Sequence, residues 1–159
     1  MTLNEALRGH AFVDGLPESL LAKLAPLAEE VSFSEDELIL LAGQRSRHFY
    51  LLLSGTVCVE ARTRTCTVCV QVLHPGEAFG WSALLNHHDT LFQVRARERS
   101  RALRLDGDRL SAVMHQDSEL AAEMLRRVLE LVAGRVQATE ARLAEFCGMR
   151  PFTPTPGGA

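Results

Sequence analysis

A stretch near the middle of the chain decides how the rest of the sequence is interpreted. It reads Pro75-Gly76-Glu77-Ala78-Phe79-Gly80-Trp81-Ser82-Ala83-Leu84. A strand is predicted to end at Leu73, and the Pro75-Gly76 pair then turns the chain. A short helical turn is predicted to begin after Gly80, with Ser82 placed to cap its exposed amides. Because the first turn of a helix leaves N–H groups unpaired, the amides of Ser82 and Ala83 are expected to face an anion or a polar group.

The composition is that of one ordinary globular domain. The chain has 159 residues, 47% hydrophobic and 23% charged, which is enough to bury a core. Its net charge of −3 argues against binding nucleic acid through the overall electrostatic field. The sequence contains neither a secretory signal nor an apolar run of about 20 residues, so no membrane association is expected. The predicted setting is the cytoplasm, with the four cysteines as free thiols.

Short strands separated by glycine-containing turns fill the middle of the sequence, a pattern that favours a β-sandwich or barrel. The strands are predicted at 30–34, 37–41, 48–53, 55–61, 66–73, 91–97 and 101–106. Helices are predicted on both sides of them. These are a short helix within 3–10, a helix starting at Pro17, a helix from Asp106 to Met114, and a long helix over 118–146 capped by Asp117.

The long helix carries an apolar stripe at steps of three and four residues. Its members are Leu125, Val128, Val132, Val136, Thr139, Leu143 and Phe146. The stripe is longer than packing against a small barrel requires, and it resembles the seam of a coiled coil. It predicts a homodimer, with Leu125 to Leu143 of this set as the interface. The alternative is one amphipathic helix lying on its own domain. The proline- and glycine-rich tail, 147–159, is predicted to be disordered.

Three segments resemble the cyclic nucleotide-binding domain of the catabolite gene activator family. They are Leu38–Gly43, Phe49–Gly55, and Pro75–Glu77 followed by Phe79–Gly80. The resemblance covers about 11–146 and implies a mainly β fold with flanking helices. The expected architecture is an eight-stranded jelly roll plus a long C-terminal helix. One domain would span 1–146, divided into a helical N-terminus (1–27), the roll (30–106) and C-terminal helices (107–146).

The opening stretch then corresponds to the family's phosphate-binding cassette. The ligand site implied by the resemblance comprises Phe79, Gly80, Trp81, Ser82, Ala83, Leu84, Thr90 and Leu91. The family has a glutamate for the ribose directly after the cassette glycine and an arginine for the phosphate about ten residues later. Here these positions hold Trp81 and Thr90, and Asp89 lies beside Thr90.

Loss of the bidentate arginine removes a charge-assisted contact of about 1.5–3 kcal/mol. Strand alternation is expected to point the nearby Arg95 outward, so Arg95 does not replace it. Cyclic AMP and cyclic GMP are therefore not expected to bind in the usual way, and a neutral or weakly charged ligand is favoured. Trp81 leaves two alternatives open. Its indole could stack on a planar ligand, or it could fill the roll with its own side chain. The filled roll is the preferred prediction.

Other kinds of site are weakly supported. Cys66 and Cys69 have C-x-x-C spacing, but residues three apart in a strand point to opposite faces. Adjacent histidines in the turn 86–89 are more typical of a solvated loop than of a metal site. No catalytic residue, metal or cofactor is predicted, and enzyme activity is not expected.

The sequence as a whole predicts a stand-alone, dimeric sensory or regulatory module that binds an unidentified small molecule or a protein partner. One alternative is a ligand-free protein-interaction scaffold. Another is the sensor half of a truncated DNA-binding transcription regulator. Such regulators carry a helix-turn-helix domain after the long helix, where this sequence has only about a dozen residues, so no DNA binding by this chain is expected.

Overall fold

Eight strands and four α-helices form the part of the chain that the structure, a computed structural model, describes: residues 1–86 and 91–148. The strands are β1 (Ala28–Phe33), β2 (Leu38–Leu40), β3 (His48–Ser54), β4 (Val57–Arg62), β5 (Thr67–Leu73), β6 (Ala78–Phe79), β7 (Phe92–Ala96) and β8 (Ser100–Asp106). The helices are α1 (Leu3–Arg8), α2 (Glu18–Leu24), α3 (Gly107–Gln116) and α4 (Ser118–Phe146). Short 3₁₀ turns occupy Ala11–Val13, Ala25–Leu27 and Trp81–Leu84.

The strands form two antiparallel four-stranded sheets. One has the order β1-β8-β3-β6 and the other the order β2-β7-β4-β5. Residues from both sheets share a buried cluster that includes Leu52, Val59, Phe79, Val94 and Ala102, so the inner faces pack on each other. The predicted mainly β roll with flanking helices and a long C-terminal helix is confirmed.

A second apolar core lies between the helices and the β1-β8-β3-β6 sheet. Leu7 of α1, Leu20 of α2, Leu110 of α3 and Leu120 of α4 are almost completely buried there with Leu103 of β8. On α4 the buried apolar residues Leu120, Met124 and Val128 follow each other at steps of four and so form one face of the helix. The core therefore fixes α4 against the roll along its first three turns.

The helix starts follow the predicted capping residues. Asp106 accepts a hydrogen bond from the Arg109 amide at 2.9 Å. Asp117 accepts hydrogen bonds from the first amides of α4, including that of Leu120 at 3.1 Å. Lys23 pairs with the same carboxylate and is the main reason that the pKa of Asp117 lies below its ordinary value. The predicted bounds of α4 are confirmed.

Two features of the cassette differ from the predictions. The two-residue strand β6 was not predicted; it pairs with β3 through Tyr50 and Leu51. Ser82 does not cap its own turn. Its hydroxyl instead accepts a hydrogen bond from the Ser46 amide at 2.9 Å, while Gly80 takes the capping position without any side-chain bond.

A disulfide joins the neighbouring strands β4 and β5. The pairing register shifts after Val59, and the Cα atoms of Cys58 and Cys69 come to 6.1 Å from each other, within disulfide range. The expectation of four free thiols is therefore wrong for this pair, whereas Cys66 and Cys147 are free. The C-x-x-C spacing concerns Cys66 and Cys69 of one segment, whereas the bond joins Cys69 to Cys58 of the neighbouring strand.

Helix α4 divides into a buried face and an exposed apolar face. Val128, predicted at the dimer interface, is buried in the core of its own chain, so that part of the prediction is wrong. Five apolar side chains are at least half exposed: Leu125, Leu129, Val136, Leu143 and Phe146. Within residues 1–86 and 91–148, none of the helices has the length and apolar character needed to cross a membrane.

Candidate ligand-binding site

The cassette turn is held close to strand β3 by Gly80. This residue has a φ of 81°, and a Cβ atom on it would lie 2.6 Å from the His48 carbonyl oxygen. Only glycine fits this left-handed backbone and this close approach together. The turn Trp81–Leu84 then starts at the inner end of β6. Its Ala83 amide donates to the Gly80 carbonyl at 3.0 Å, so this amide meets a polar group of the chain itself, the second of the two predicted partners.

A cavity of about 240 Å³ opens beside the turn, between the two sheets. It is lined by Ile39, Leu40, Leu41, Gln44, Arg45, Ser46, Arg47, His48, Tyr50, Gly80, Trp81, Ser82, Phe92, Val94 and Arg135. Four regions thus contribute: β2 with the following turn, the start of β3, the cassette turn and β7. Arg135 reaches the cavity from α4.

Three of the eight residues predicted at the ligand site line this cavity: Gly80, Trp81 and Ser82. The others do not. Phe79 and Ala83 are buried in the core, Leu84 packs partly against it, and Leu91 is 83% exposed. Thr90, together with His87, His88 and Asp89, lies outside the described residues.

Trp81 leaves the roll open. Its side chain packs partly against the helix-side core and lines both the main cavity and a second cavity of about 120 Å³ on the side of α4. The preferred prediction, a roll filled by the indole, is therefore wrong. The ring forms a wall of the cavity and stays in a position to contact an occupant.

The lining carries positive charge and no carboxylate among the described residues. Arg45, Arg47 and Arg135 contribute guanidinium groups, and burial lowers the pKa of His48, which favours its neutral form. Such a surface attracts anions, especially where the walls exclude water. The prediction that the site favours a neutral ligand, which rested on the absence of a cassette arginine, is not supported by this lining.

Arg135 is the arginine that α4 contributes to the lining, and two contacts fix its guanidinium. Its Nε donates to Gln71 Oε1 at 2.7 Å, and the guanidinium lies 5.6 Å from the centre of the Phe92 ring. Burial disfavours the charged form and lowers the pKa of Arg135 to about 10, so the group still carries its charge at neutral pH.

Three aromatic side chains, Tyr50, Trp81 and Phe92, line the cavity, and we call them its aromatic end. Tyr50 stacks on Phe79 with ring centres 4.8 Å apart and only 6° between the planes. Burial raises the pKa of the Tyr50 hydroxyl, which keeps it protonated. With Trp81 and Phe92, this end can accommodate a flat or apolar group.

Arg95 does not enter the cavity lining. Its Nε lies 3.3 Å from Glu60 Oε2, and its Nη1 donates to the Asp36 carbonyl at 2.8 Å. The prediction that Arg95 points away from the site is confirmed. In residues 1–86 and 91–148, no group of three His, Cys, Asp or Glu residues could hold a metal ion.

Sequence reasoning missed the residues that reach the cavity from outside the cassette, above all Arg135. Gly134 is not a signal for Arg135, because a Cβ atom at this position would make only an ordinary contact with Gln71 Nε2, at 3.9 Å. The available signal was the Arg45–Arg47 turn, as two arginines lie just before the start of β3.

The comparisons with known proteins agree with this geometry. The sequence pattern of the cyclic nucleotide-binding domain matches residues 30–117, more than half of the chain. The chain belongs to the cyclic nucleotide-binding domain family. Members of this family act as regulatory domains.

Three relatives indicate the range of proteins with similar domains. A proposed cyclic nucleotide-binding protein from Geobacter metallireducens is 27% identical, with a TM-score of 0.73 over 86% of this chain and 99% of its own. The Thermus thermophilus catabolite activator protein is 19% identical, with a TM-score of 0.68 over 86% of this chain and 63% of its own. Potassium channel KAT3 of Arabidopsis thaliana is 25% identical over 111 residues, which are 70% of this chain and 17% of the channel. The chain thus spans about a sixth of that relative's length.

Proposed function

We propose that this cyclic nucleotide-binding-like domain is a sensory or regulatory module that binds a small molecule in the cavity beside Trp81. The observation that carries the proposal is the cavity itself, about 240 Å³ in volume, with a cationic side and an aromatic end. A site of this kind, with an apolar wall and a few converging polar groups, is typical of small-molecule binding.

We further propose that cyclic AMP and cyclic GMP are not its usual ligands. Trp81 replaces the acid that binds the ribose in the family. The described lining of the cavity contains no carboxylate that could take over this role. A nucleotide in the usual pose would also meet the indole where the acid should accept its hydrogen bond.

The module is proposed to act as a homodimer through the exposed face of α4. Leu129, Val136 and Leu143 follow each other at seven-residue spacing, and Leu125, Val132, Thr139 and Phe146 repeat with the same period between them. We call these seven residues the α4 seam; five of them are at least half exposed, and Val132 and Thr139 are partly buried. Their spacing is the alternating a and d pattern of a coiled coil, which buries such a stripe against a second copy.

Two measurements on the purified protein test the ligand proposal. Calorimetry with cyclic AMP and cyclic GMP is expected to give no dissociation constant below about 10 μM, equivalent to roughly −7 kcal/mol. A thermal-melting screen of small metabolites, including phosphorylated and carboxylated ones, is expected to yield at least one that raises the melting temperature, because binding to the native state adds to stability.

Tight binding of either cyclic nucleotide would contradict the proposed departure from the family's usual ligands. A screen without any stabilising compound, combined with an intact dimer, would instead favour the ligand-free interaction scaffold.

A further inference from the structure

Arg135 combines three properties that a structural arginine rarely has together. It lines the cavity of the roll from the middle of α4, it is partly buried, and it lies over the Phe92 ring. Nε is occupied by Gln71, whereas the terminal nitrogens Nη1 and Nη2 have no hydrogen-bond partner among the described residues. Within that same part of the chain, no carboxylate forms an ion pair with the guanidinium.

Partial burial disfavours the charged form of this guanidinium, and it lowers the pKa of Arg135. Charges withdrawn from water are normally paired, because a partner offsets the lost hydration. The contact with the Phe92 ring offsets part of this loss of hydration. An oxyanion placed against Nη1 and Nη2 would offset more, because a planar guanidinium matches phosphate and carboxylate oxygens in pairs.

The other two arginines of the lining are placed differently. Arg45 donates from Nη1 to the Leu85 carbonyl at 2.8 Å, and its Nη2 lies 3.5 Å from Asp108. Arg47 is exposed at the rim of the cavity. Both add positive potential at the entrance, but among the described residues only Arg135 combines a contact with an aromatic ring of the lining and two terminal nitrogens without a hydrogen bond.

We propose that Arg135 is the anion-binding residue of this domain, supplied by α4 in place of the missing cassette arginine. The ligand is then an anionic small molecule that sets a phosphate or carboxylate group against Arg135 and a flat or apolar group against Trp81. This inference rests on the proposed function and names the chemistry of its ligand. It also makes α4 part of the binding site.

Quenching of tryptophan fluorescence tests the inference directly, since Trp81 is the only tryptophan of the chain and lines the cavity with Arg135. The probes are iodide, caesium and acrylamide, which are anionic, cationic and neutral, at constant ionic strength. With each quenching constant divided by that of free N-acetyltryptophanamide, iodide is expected to quench wild-type Trp81 several times more strongly than caesium, because a cationic cleft enriches anions.

The variant is Arg135→Gln, and the matched control is Arg126→Gln on the same helix, where Arg126 is exposed and pairs with Glu123 and Glu130. Arg135→Gln is expected to lower iodide quenching by about two-fold or more while acrylamide quenching stays the same, because only the local charge changes. Arg126→Gln is expected to leave all three quenchers unaffected.

Each outcome bears on the inference. Equal iodide quenching in the wild type and Arg135→Gln would overturn it, as would equal quenching of the wild type by iodide and caesium. The second comparison needs no variant, so equal quenching by the two ions overturns the inference even if Arg135→Gln does not fold. Failure of acrylamide to reach Trp81 would count against an accessible cavity, and hence against the proposed function. Acrylamide quenching without an iodide preference would overturn the anion-binding role alone.

Discussion

Both the left-handed backbone of Gly80 and its close approach to β3 require glycine, and Gly43, which has only the first property, serves as a control. Gly80 and Gly43 have similar positive φ values, 81° and 77°, but only Gly80 lies against another backbone atom; a Cβ atom on Gly43 would meet nothing within 4 Å. Gly43→Ala is expected to lower the free energy of unfolding by about 1–2 kcal/mol, the usual penalty of a left-handed backbone. Gly80→Ala is expected to lower it by roughly 3 kcal/mol or more, because the clash with His48 adds to this penalty.

Urea denaturation of the two variants, followed by circular dichroism, gives the comparison. Equal losses would show that the cassette turn can move away from β3 at no cost, and that the close approach does not hold the cavity wall in place.

His10 makes the stability of the fold sensitive to acid. Its Nδ1 accepts the Phe12 amide at 3.1 Å, so Nε2 carries the proton and donates to the Leu52 carbonyl at 2.9 Å. Burial lowers the pKa of His10 below its ordinary value. The unfolded chain therefore binds a proton at a higher pH than the folded chain. The stability that neutral His10 contributes is complete above about pH 6.5 and is lost as the pH falls below that value.

The pH slope of stability is the measurement for His10. His10→Gln removes this titration and is expected to flatten the decline of the urea midpoint between neutral and mildly acidic pH. His115→Gln, which replaces an exposed histidine, is the control and is expected to keep the wild-type slope. A slope unchanged in His10→Gln would assign the acid sensitivity to other groups.

At the scale of elements, α4 carries the dimer proposal. Leu143 belongs to the α4 seam and is 60% exposed, two turns beyond Arg135. Leu143→Asp places a pair of facing carboxylates in the proposed seam and is expected to yield a folded monomer. The control is Ala141→Asp, which adds the same charge at an exposed position outside the seam. Sedimentation at tens of micromolar, where a real coiled-coil dimer should persist, distinguishes the two variants. A wild type that is already monomeric under these conditions would contradict the proposal.

The elements that could be predicted are those with a strong local signal. The bounds of α4 follow from the Asp117 cap and a long helical period, and β3 and β5 follow from apolar runs between turns. The two-residue strand β6 has no period of its own, since Ala78 and Phe79 become a strand only by pairing with β3. The Cys58–Cys69 disulfide depends on a register shift between two strands, which a sequence pattern does not specify.

At the scale of the whole molecule, only those site residues that lie within the cassette segment could be predicted from the sequence. Gly80, Trp81 and Ser82 follow from the cassette spacing. The cavity also requires residues from β2, β3, β7 and α4, and Arg135 is 54 positions from Trp81 in the sequence. Its place beside the indole depends on how α4 packs against β5. The same packing decides which face of α4 stays exposed, and this is why Val128 was wrongly assigned to the interface.

The position of Arg135 on α4 has a consequence for how this protein responds to its own concentration. Arg135 lies one residue from Val136 and three from Val132, both in the α4 seam. Suppose that a ligand bound to Arg135 strengthens dimerisation through α4 by some factor. The dimer must then bind that ligand more tightly than the monomer does, by the same factor. Under the two proposals, the apparent affinity measured on a dilute sample would then differ from that on a concentrated one. The abundance of the protein in its cell would set its sensitivity to the signal.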